Sequence, residues 1–417
     1  MKKLACRCAL SLLLAIPFSG QSFAQNNMEK LQDFRQTGTE LEIESIPQDA
    51  ERIEAIRKNL ERIQLPPGFK IDLYAIVPDA RHMAVGTNVG VVFVGTRKTK
   101  VWAVTDRDKD RVADEVKQFA PSVKFKFPNG PVMSKEGVLY IAGHNRILAF
   151  PAAEFFYEGP DVAVAVVKDQ FIPLEEEYFN HAFRVLDIGP DGKLYVALGQ
   201  PYNVFPADKM PMEPLGSIAR LNQDGTGWEI YAHGIRNSVG LDFHPVTGEL
   251  WFNDNQVDGM GDDIPSGELN RAPSPGLNFG FPWYGGGSTR TVEYKDMEPP
   301  EGLVFPEIEW QAHAADLGMT FYTGNQFPSS YKNDLFSAQH GSWNRTTPVG
   351  AQIMHVDFDE DGNIVSSEVF AKGWLDEETG EYLGRPVDVK QYLDGSLLVS
   401  DDLVGAIYRI YYNGESQ

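Results

Sequence analysis

DGKLYVALG, residues 191–199, is a turn followed by a short strand of alternating apolar and small residues. The phrase returns as VGVVFVGT (89–96), EGVLYIAG (136–143), TGELWFND (247–254), KNDLFSAQ (332–339) and DGSLLVSDD (394–402). Most instances are followed, some after a long insertion, by a second strand: TKVWAVTD, NRILAFP, GSIARLN, GAQIMHVDFD or GAIYRIYYN. Antiparallel units repeating every 45–85 residues, without long helices between them, are the mark of a β-propeller rather than a β-sandwich pair. Six phrases predict an all-β, six-bladed β-propeller. The last phrase lies near the C-terminus, so a strand near Phe69–Tyr74 is predicted to complete the final blade.

The repeats occupy 64–417, and what precedes them is of another kind. MKKLACRCALSLLLAIPFSGQSFAQ opens with a basic Lys2-Lys3 pair, an apolar run from Ala9 to Pro17 and a small-x-small site at Ser22-Phe23-Ala24. This predicts a signal peptide over 1–24 and a periplasmic or secreted protein. Both cysteines, Cys6 and Cys8, lie inside it, so the remaining 393 of 417 residues carry no disulfide or thiol chemistry. Residues 25–48 are polar and aperiodic and read as a flexible arm. DAERIEAIRKNLERIQ then places Ile53, Ile56, Leu60 and Ile63 on one face of a short helix, which Pro66-Pro67-Gly68 stops.

Loss of Lys2, Lys3 and Arg7 takes the net charge from −22 to about −25, which argues against a nucleic-acid partner. No later apolar run approaches the roughly 20 residues of a membrane span.

Propellers bind ligands at one mouth of the central channel, so the informative residues are polar groups flanking the phrases. They are Asn129 before EGVLYIAG, His181 before DGKLYVALG and Gln200 after it, Arg236 and Asn237 before TGELWFND, His340 in SAQHGSWNR and Arg385 in LGRPVDV. Several chemistries fail on spacing. Eight histidines form no HxH or HExxH, and there is no GxSxG, GK[ST], strand-to-helix GxGxxG or CxxCH. DRDKDRVAD (106–114) resembles a calcium loop through Asp106, Asp108 and Asp110. Arg111 stands at its turn glycine and Lys117 at its closing Glu, so it reads as structural.

AHGIRN followed by GLDFHP, a histidine before GPDGKLYV, an acidic loop running into GELN, LNFGFPWYGG, HGSWNR and a late GRP together resemble the glucose/sorbosone dehydrogenase family over about residues 64–413. The resemblance implies an oxidoreductase that oxidises aldose sugars with pyrroloquinoline quinone and Ca2+ and passes electrons to a separate acceptor. It implies His181 as the general base and Arg236 as the group that stabilises charge on the quinone oxygen. Asn129, Gln200, Asn237, His340 and Arg385 join Arg236 in binding the cofactor. Backbone oxygens of Gln256 and Val257 would hold the ion, with Asp258, Asp262, Asp263 and Glu268 ligating it or a structural neighbour. Where the family carries a cofactor-binding lysine this chain has His340, with Arg345 nearby, and Val387 stands at a second late arginine. Phe281, Trp283, Tyr284 and Trp343 are candidates for a wall against a pyranose. A metal-dependent lactonase and a non-enzymatic binding module are the rival readings.

Overall fold

A computed structural model describes the backbone of Arg35–Gln36 and residues 41–414. The predicted signal peptide and most of the predicted arm lie outside the described residues.

The propeller has six blades, each built on four antiparallel strands, and two of them gain a short fifth strand. In every blade the phrase identified in the sequence is the second strand: Val92–Val94, Val138–Ala142, Leu194–Leu198, Leu250–Asp254, Leu335–Gln339 and Leu397–Asp401. The inner strands are Met83–Val85, Gly130–Met133, Val185–Ile188, Leu241–Phe243, Asp316–Phe321 and Pro386–Gln391. We number the blades 1 to 6 in that order. Side chains of the second strands are buried, Val138 alone being half-buried, because they pack against the blades on both sides.

Ring closure follows the sequence expectation. Phe69–Ile76 is the outer strand of blade 6 and pairs with Ala406–Tyr412, Phe69 lying opposite Tyr412 and Ile76 opposite Ala406. Phe69 anchors this strand among Phe327, Tyr331, Phe370 and Tyr412, with ring centroids 4.7 to 5.2 Å away. The helix Ala50–Leu60 starts at Asp49, whose carboxylate accepts from the Arg52 amide. It buries Ile56 and Leu60 in the same cluster.

Residues 44–46, expected to belong to a flexible arm, instead pair with the outer strand of blade 1. The Ile46 amide donates to Val116 and the Gln118 amide to Glu44, both at 2.8 Å. The reason is the unpaired backbone at a blade's outer edge, which this segment covers.

Blade 4 accounts for the longest interval. Residues 273–307 intervene between its third strand, Gly267–Ala272, and its fourth, Ile308–Trp310. Within them Leu277–Asn278 adds a parallel strand to blade 3. The inserted LNFGFPWYGG thus returns toward the channel between blades 3 and 4.

The topology fixes which residues share the mouth. Inner strands begin, and second strands end, at one end of the channel. Thr96, His144, Gln200, Asn255, His340 and Asp402 therefore meet the residues that precede the inner strands: Arg81, Asn129, Arg184, Asn237 and Arg385.

Candidate active site

His181 is held with φ of 52° before the inner strand of blade 3. Its Nδ1 lies 2.5 Å from the Gln200 carbonyl oxygen. A carbonyl only accepts, so Nδ1 carries the proton and Nε2 is left with a lone pair. Burial, aided by the charge of Arg236, pushes the imidazole down to about 3, so it stays neutral at pH 7. The end of the second strand fits against it closely. A Cβ on Gly199 would lie 2.3 Å from Asn237 Oδ1 and 2.9 Å from His181 Cβ, so a side chain there would push the two apart.

Arg236 is buried and braced by the acidic loop. Nε donates to the Asn203 carbonyl at 2.9 Å, Nη1 to the Asn255 carbonyl at 3.2 Å, and Nη2 to Asn203 Oδ1 and Asp258 Oδ2 at 2.9 and 3.1 Å. The backbone amides of Arg236 and Asn237 both donate to Asp254, at 2.7 and 2.6 Å. That carboxylate sets the conformation of the Arg-Asn pair. Asp258 also accepts from Asn344 at 2.7 Å, which ties the loop to HGSWNR.

Other predicted residues reach the mouth with their side chains engaged. Asn129 accepts from Arg81 Nε at 3.1 Å and donates to His82 Nδ1 at 3.0 Å. The Gln200 amide closes its own turn with the backbone of Tyr202, and its carbonyl orients His181. Arg385 donates to the carbonyls of His340 and Gly341 and lies over the Tyr382 ring at 4.9 Å. His340 Nε2 is 2.8 Å from Asp402. Burial pushes His340 down to about 4 despite that carboxylate, so it donates as a neutral imidazole.

The acidic loop does not converge on one point. Asp258 clamps Arg236. Asp262 and Asp263 stand at the surface, tied to Thr346 and Arg345. Glu268 is buried directly across the strand pair from Asp254. Val257 donates its amide to the Gly285 carbonyl at 2.6 Å and packs its side chain into the core of blade 3. The Gln256 amide nitrogen contacts His313 at 3.0 Å, leaving its buried Oε1 without a partner.

Sequence reasoning missed the acids beside this point. Asp254 ends the fourth phrase and Asp316 begins the inner strand of blade 5. Asp316 Oδ2 is buried and unpartnered, against Gly267. Burial raises Glu268 to about 8 and Asp254 to about 6, and it raises Asp316 to about 7. A cavity of about 10 Å³, room for one small particle, is lined by Asp254, Asn255, Gln256, Glu268, Gly285 and Gly286 among others.

Two more features were not anticipated. Asp402, buried, accepts from Arg81 at 3.0 Å and lies 3.4 Å from Arg97. Burial would raise its pKa, but the contact with His340 and then the charges of Arg81 and Arg97 outweigh it and hold the carboxyl well below the usual range. The signal was the last aspartate of DGSLLVSDD. Arg184, fully buried, donates to the carbonyls of His144, His181 and Gly199 at 2.9 to 3.1 Å. Among the described residues no carboxylate lies within ion-pair distance of it.

The four candidate aromatic residues do not form one wall. Phe281 belongs to the core of blade 3, Trp283 packs on Tyr294, and Tyr284 packs on Phe305. Only Trp343, 76% exposed, stands open. Beside His181, Phe127, Phe179 and Phe183 form an edge-to-face cluster with centroids 5.6 to 5.8 Å apart. Its signal was YFNHAF, with an aromatic two residues to either side of the histidine.

The glucose/sorbosone dehydrogenase family model matches residues 169–409. A Borreliella burgdorferi protein described as uncharacterised is 32% identical over 361 residues, covering 84% of this chain and 91% of its own. The aldose sugar dehydrogenase YliI of Escherichia coli is 28% identical over 177 residues, 38% of this chain and 44% of that one. In structure, the holo form of the pyranose dehydrogenase PQQ domain from Coprinopsis cinerea superposes with a TM-score of 0.66 at 16% identity, covering 84% of this chain and 97% of that one. That likeness shows a shared fold. With its six blades and the match over 169–409, the chain belongs to the glucose/sorbosone dehydrogenase family and is a sugar-dehydrogenase-like propeller.

Proposed function

We propose that the protein is a periplasmic or secreted dehydrogenase that oxidises the C1 hydroxyl of aldoses, using pyrroloquinoline quinone and Ca2+ and delivering electrons to a separate acceptor. The observation that carries this reading is His181: half-buried and neutral, with Nδ1 donating to Gln200 and Nε2 free.

The donor sets fit both groups. A flat tricarboxylate needs local cations in a chain of net charge −22. The mouth supplies Arg81, Arg97, Arg236 and Arg385, together with Arg184, which has no carboxylate within ion-pair distance among the described residues. Ca2+ needs hard oxygen ligands. Asp254, Glu268 and the unpartnered oxygens of Gln256 and Asp316 supply them, and two facing buried carboxylates call for either a proton or a cation. Backbone oxygens of Gln256 and Val257 remain the proposed contacts for the ion nearest the quinone, with Asp258 bracing Arg236 beside them. Asp262 and Asp263, at the surface, would act through the loop's conformation.

Held by these residues, the quinone with its Ca2+ would supply the hydride acceptor for C1. His181 Nε2 takes the C1 hydroxyl proton, which its neutrality permits. Arg236, fixed by Asn203, Asn255 and Asp258, offers preorganised positive charge without having to reorient. Asn237 stands across Gly199 from the base as a neutral polar partner. Asn129, Gln200 and His340 hold Arg81, His181 and Asp402 in place, and Arg385 adds a cation on blade 6. Phe179 offers an exposed ring to the sugar.

The test is to add the quinone and Ca2+ to purified protein and follow dye reduction with a panel of aldoses. Reduction with at least one sugar supports the reading. No reduction and no spectral change on adding quinone would refute it, and hydrolysis of lactones with metal alone would establish the lactonase reading in its place.

A further inference from the structure

The turn between the third and fourth strands of blade 1, Val101–Thr105 and Glu115–Phe119, lies at the end of the propeller opposite the mouth. It carries Asp106, Asp108, Asp110 and Asp114 in alternation with Arg107, Lys109 and Arg111. Asp106, Asp108 and Asp114 each bring a carboxylate oxygen within 4.8 Å of the others'. Acidic turns of this kind are common, so the cluster alone assigns nothing. The further observation is Asp106 itself. Its side chain is 0% exposed, the Arg111 amide donates to Oδ2 at 3.1 Å, and Oδ1 has no hydrogen-bond partner. A buried carboxylate oxygen without a partner is costly, and a cation shared with Asp108 and Asp114 removes that cost.

The interleaved arginines make their shorter ion pairs elsewhere. Arg107 is drawn to Glu115 and Glu158, and Arg111 to Asp394 at 2.8 Å. Arg111 Nη1 remains 3.9 Å from Asp106. Positions 106, 108, 110 and 114 stand at the first, third, fifth and ninth places of a calcium loop, with the carbonyl of Val112 at the seventh. Arg111, at the sixth place where such loops carry glycine, has φ of 79°, the left-handed conformation that the glycine supplies. The sequence objection to this loop was the missing glycine, and the backbone makes the required turn without it.

We infer that the Asp106–Asp114 turn of blade 1 is a Ca2+ site, distinct from the mouth and independent of the proposed catalysis. Lys117 stands where a bidentate glutamate would close the loop, so the affinity belongs with weak extracellular modules, Kd on the order of 10⁻⁴ to 10⁻³ M.

Calorimetric titration of EDTA-treated full-length protein with CaCl2 tests this, using Glu268→Gln as the background to remove the mouth's contribution. A binding event should persist in that background and weaken at least about tenfold on adding Asp108→Asn and Asp110→Asn, two exposed changes that leave melting in EDTA unaltered. Arg111→Gly should tighten it several-fold by relieving backbone strain and removing a positive charge. The inference is overturned if no event survives in Glu268→Gln, or if the loop substitutions leave the titration unchanged.

Discussion

Asp402→Asn should destabilise the protein by about 3 kcal/mol, the lower end of the range for removing one partner of a buried ion pair. The magnitude comes from Arg81. Its side chain is 6% exposed and lies 3.0 Å from Asp402, itself 3% exposed. The variant leaves this guanidinium buried with Asn129, the face of Phe183 at 5.8 Å and the weaker pull of Asp79. Asn still accepts from His340, so that contact is largely kept. Arg97 is 42% exposed and contributes at most about 1 kcal/mol through the pair. Urea unfolding at pH 7 measures the loss, with Arg97→Ala as the control that should cost under about 1 kcal/mol. The difference should persist at 0.5 M salt, because a buried pair is poorly screened. Asp402 has a depressed pKa, so its stabilisation is present above the ordinary carboxylate range and lost only as pH falls below it. The variant and wild type should therefore converge in strong acid. A loss below about 1 kcal/mol at pH 7, or one abolished by salt, would refute the reasoning.

Glu268 and Asp254, raised by burial to about 8 and about 6, favour folding when protonated. That stabilisation is complete below pH 4 and lost as pH rises through 6 to 8, at about 1.4 kcal/mol per unit of displacement. Metal-free protein should therefore melt lower at pH 9 than at pH 5, Ca2+ should reverse much of the fall, and Glu268→Gln should flatten both responses in a melting series. Phe179→Ala should raise KM for an aldose about tenfold with kcat little changed, the loss of one stacking face, as steady-state kinetics would show. Gly199→Ala should reduce turnover by about a hundredfold through displacement of His181 and Asn237 while the melting temperature moves by a few degrees at most; unchanged turnover would show that the contact is slack.

The blades were legible because period-two phrases recur and each must bury both faces of its strand. The strand near Phe69 was legible because the sixth phrase left its blade incomplete. His181, Arg236 and Asn237 could be placed because they stand just ahead of inner strands. Asp402 was not, since its main partner Arg81 lies 321 residues earlier and meets it only across the ring closure. The acidic loop misled for the opposite reason. Its carboxylates are near in sequence, but the strand from Gly267 draws Glu268 inside while Asp262 stays half-exposed and Asp263 exposed at the surface. Asp254 joins Glu268 through strand pairing, which spacing along the chain does not reveal. Phe281 is apolar and near the motif, and nothing local distinguishes a core ring from a binding ring.

The most direct test of the proposed role of His181 compares wild type with His181→Ala, both loaded with pyrroloquinoline quinone and Ca2+ and mixed with an aldose. The variant should take up quinone with an affinity within a fewfold of wild type, as its absorption spectrum reports, yet lose at least about a hundredfold in the rate at which sugar bleaches the oxidised quinone. Equal bleaching rates in the two proteins would contradict the assignment of His181 as the base on which the proposed mechanism rests.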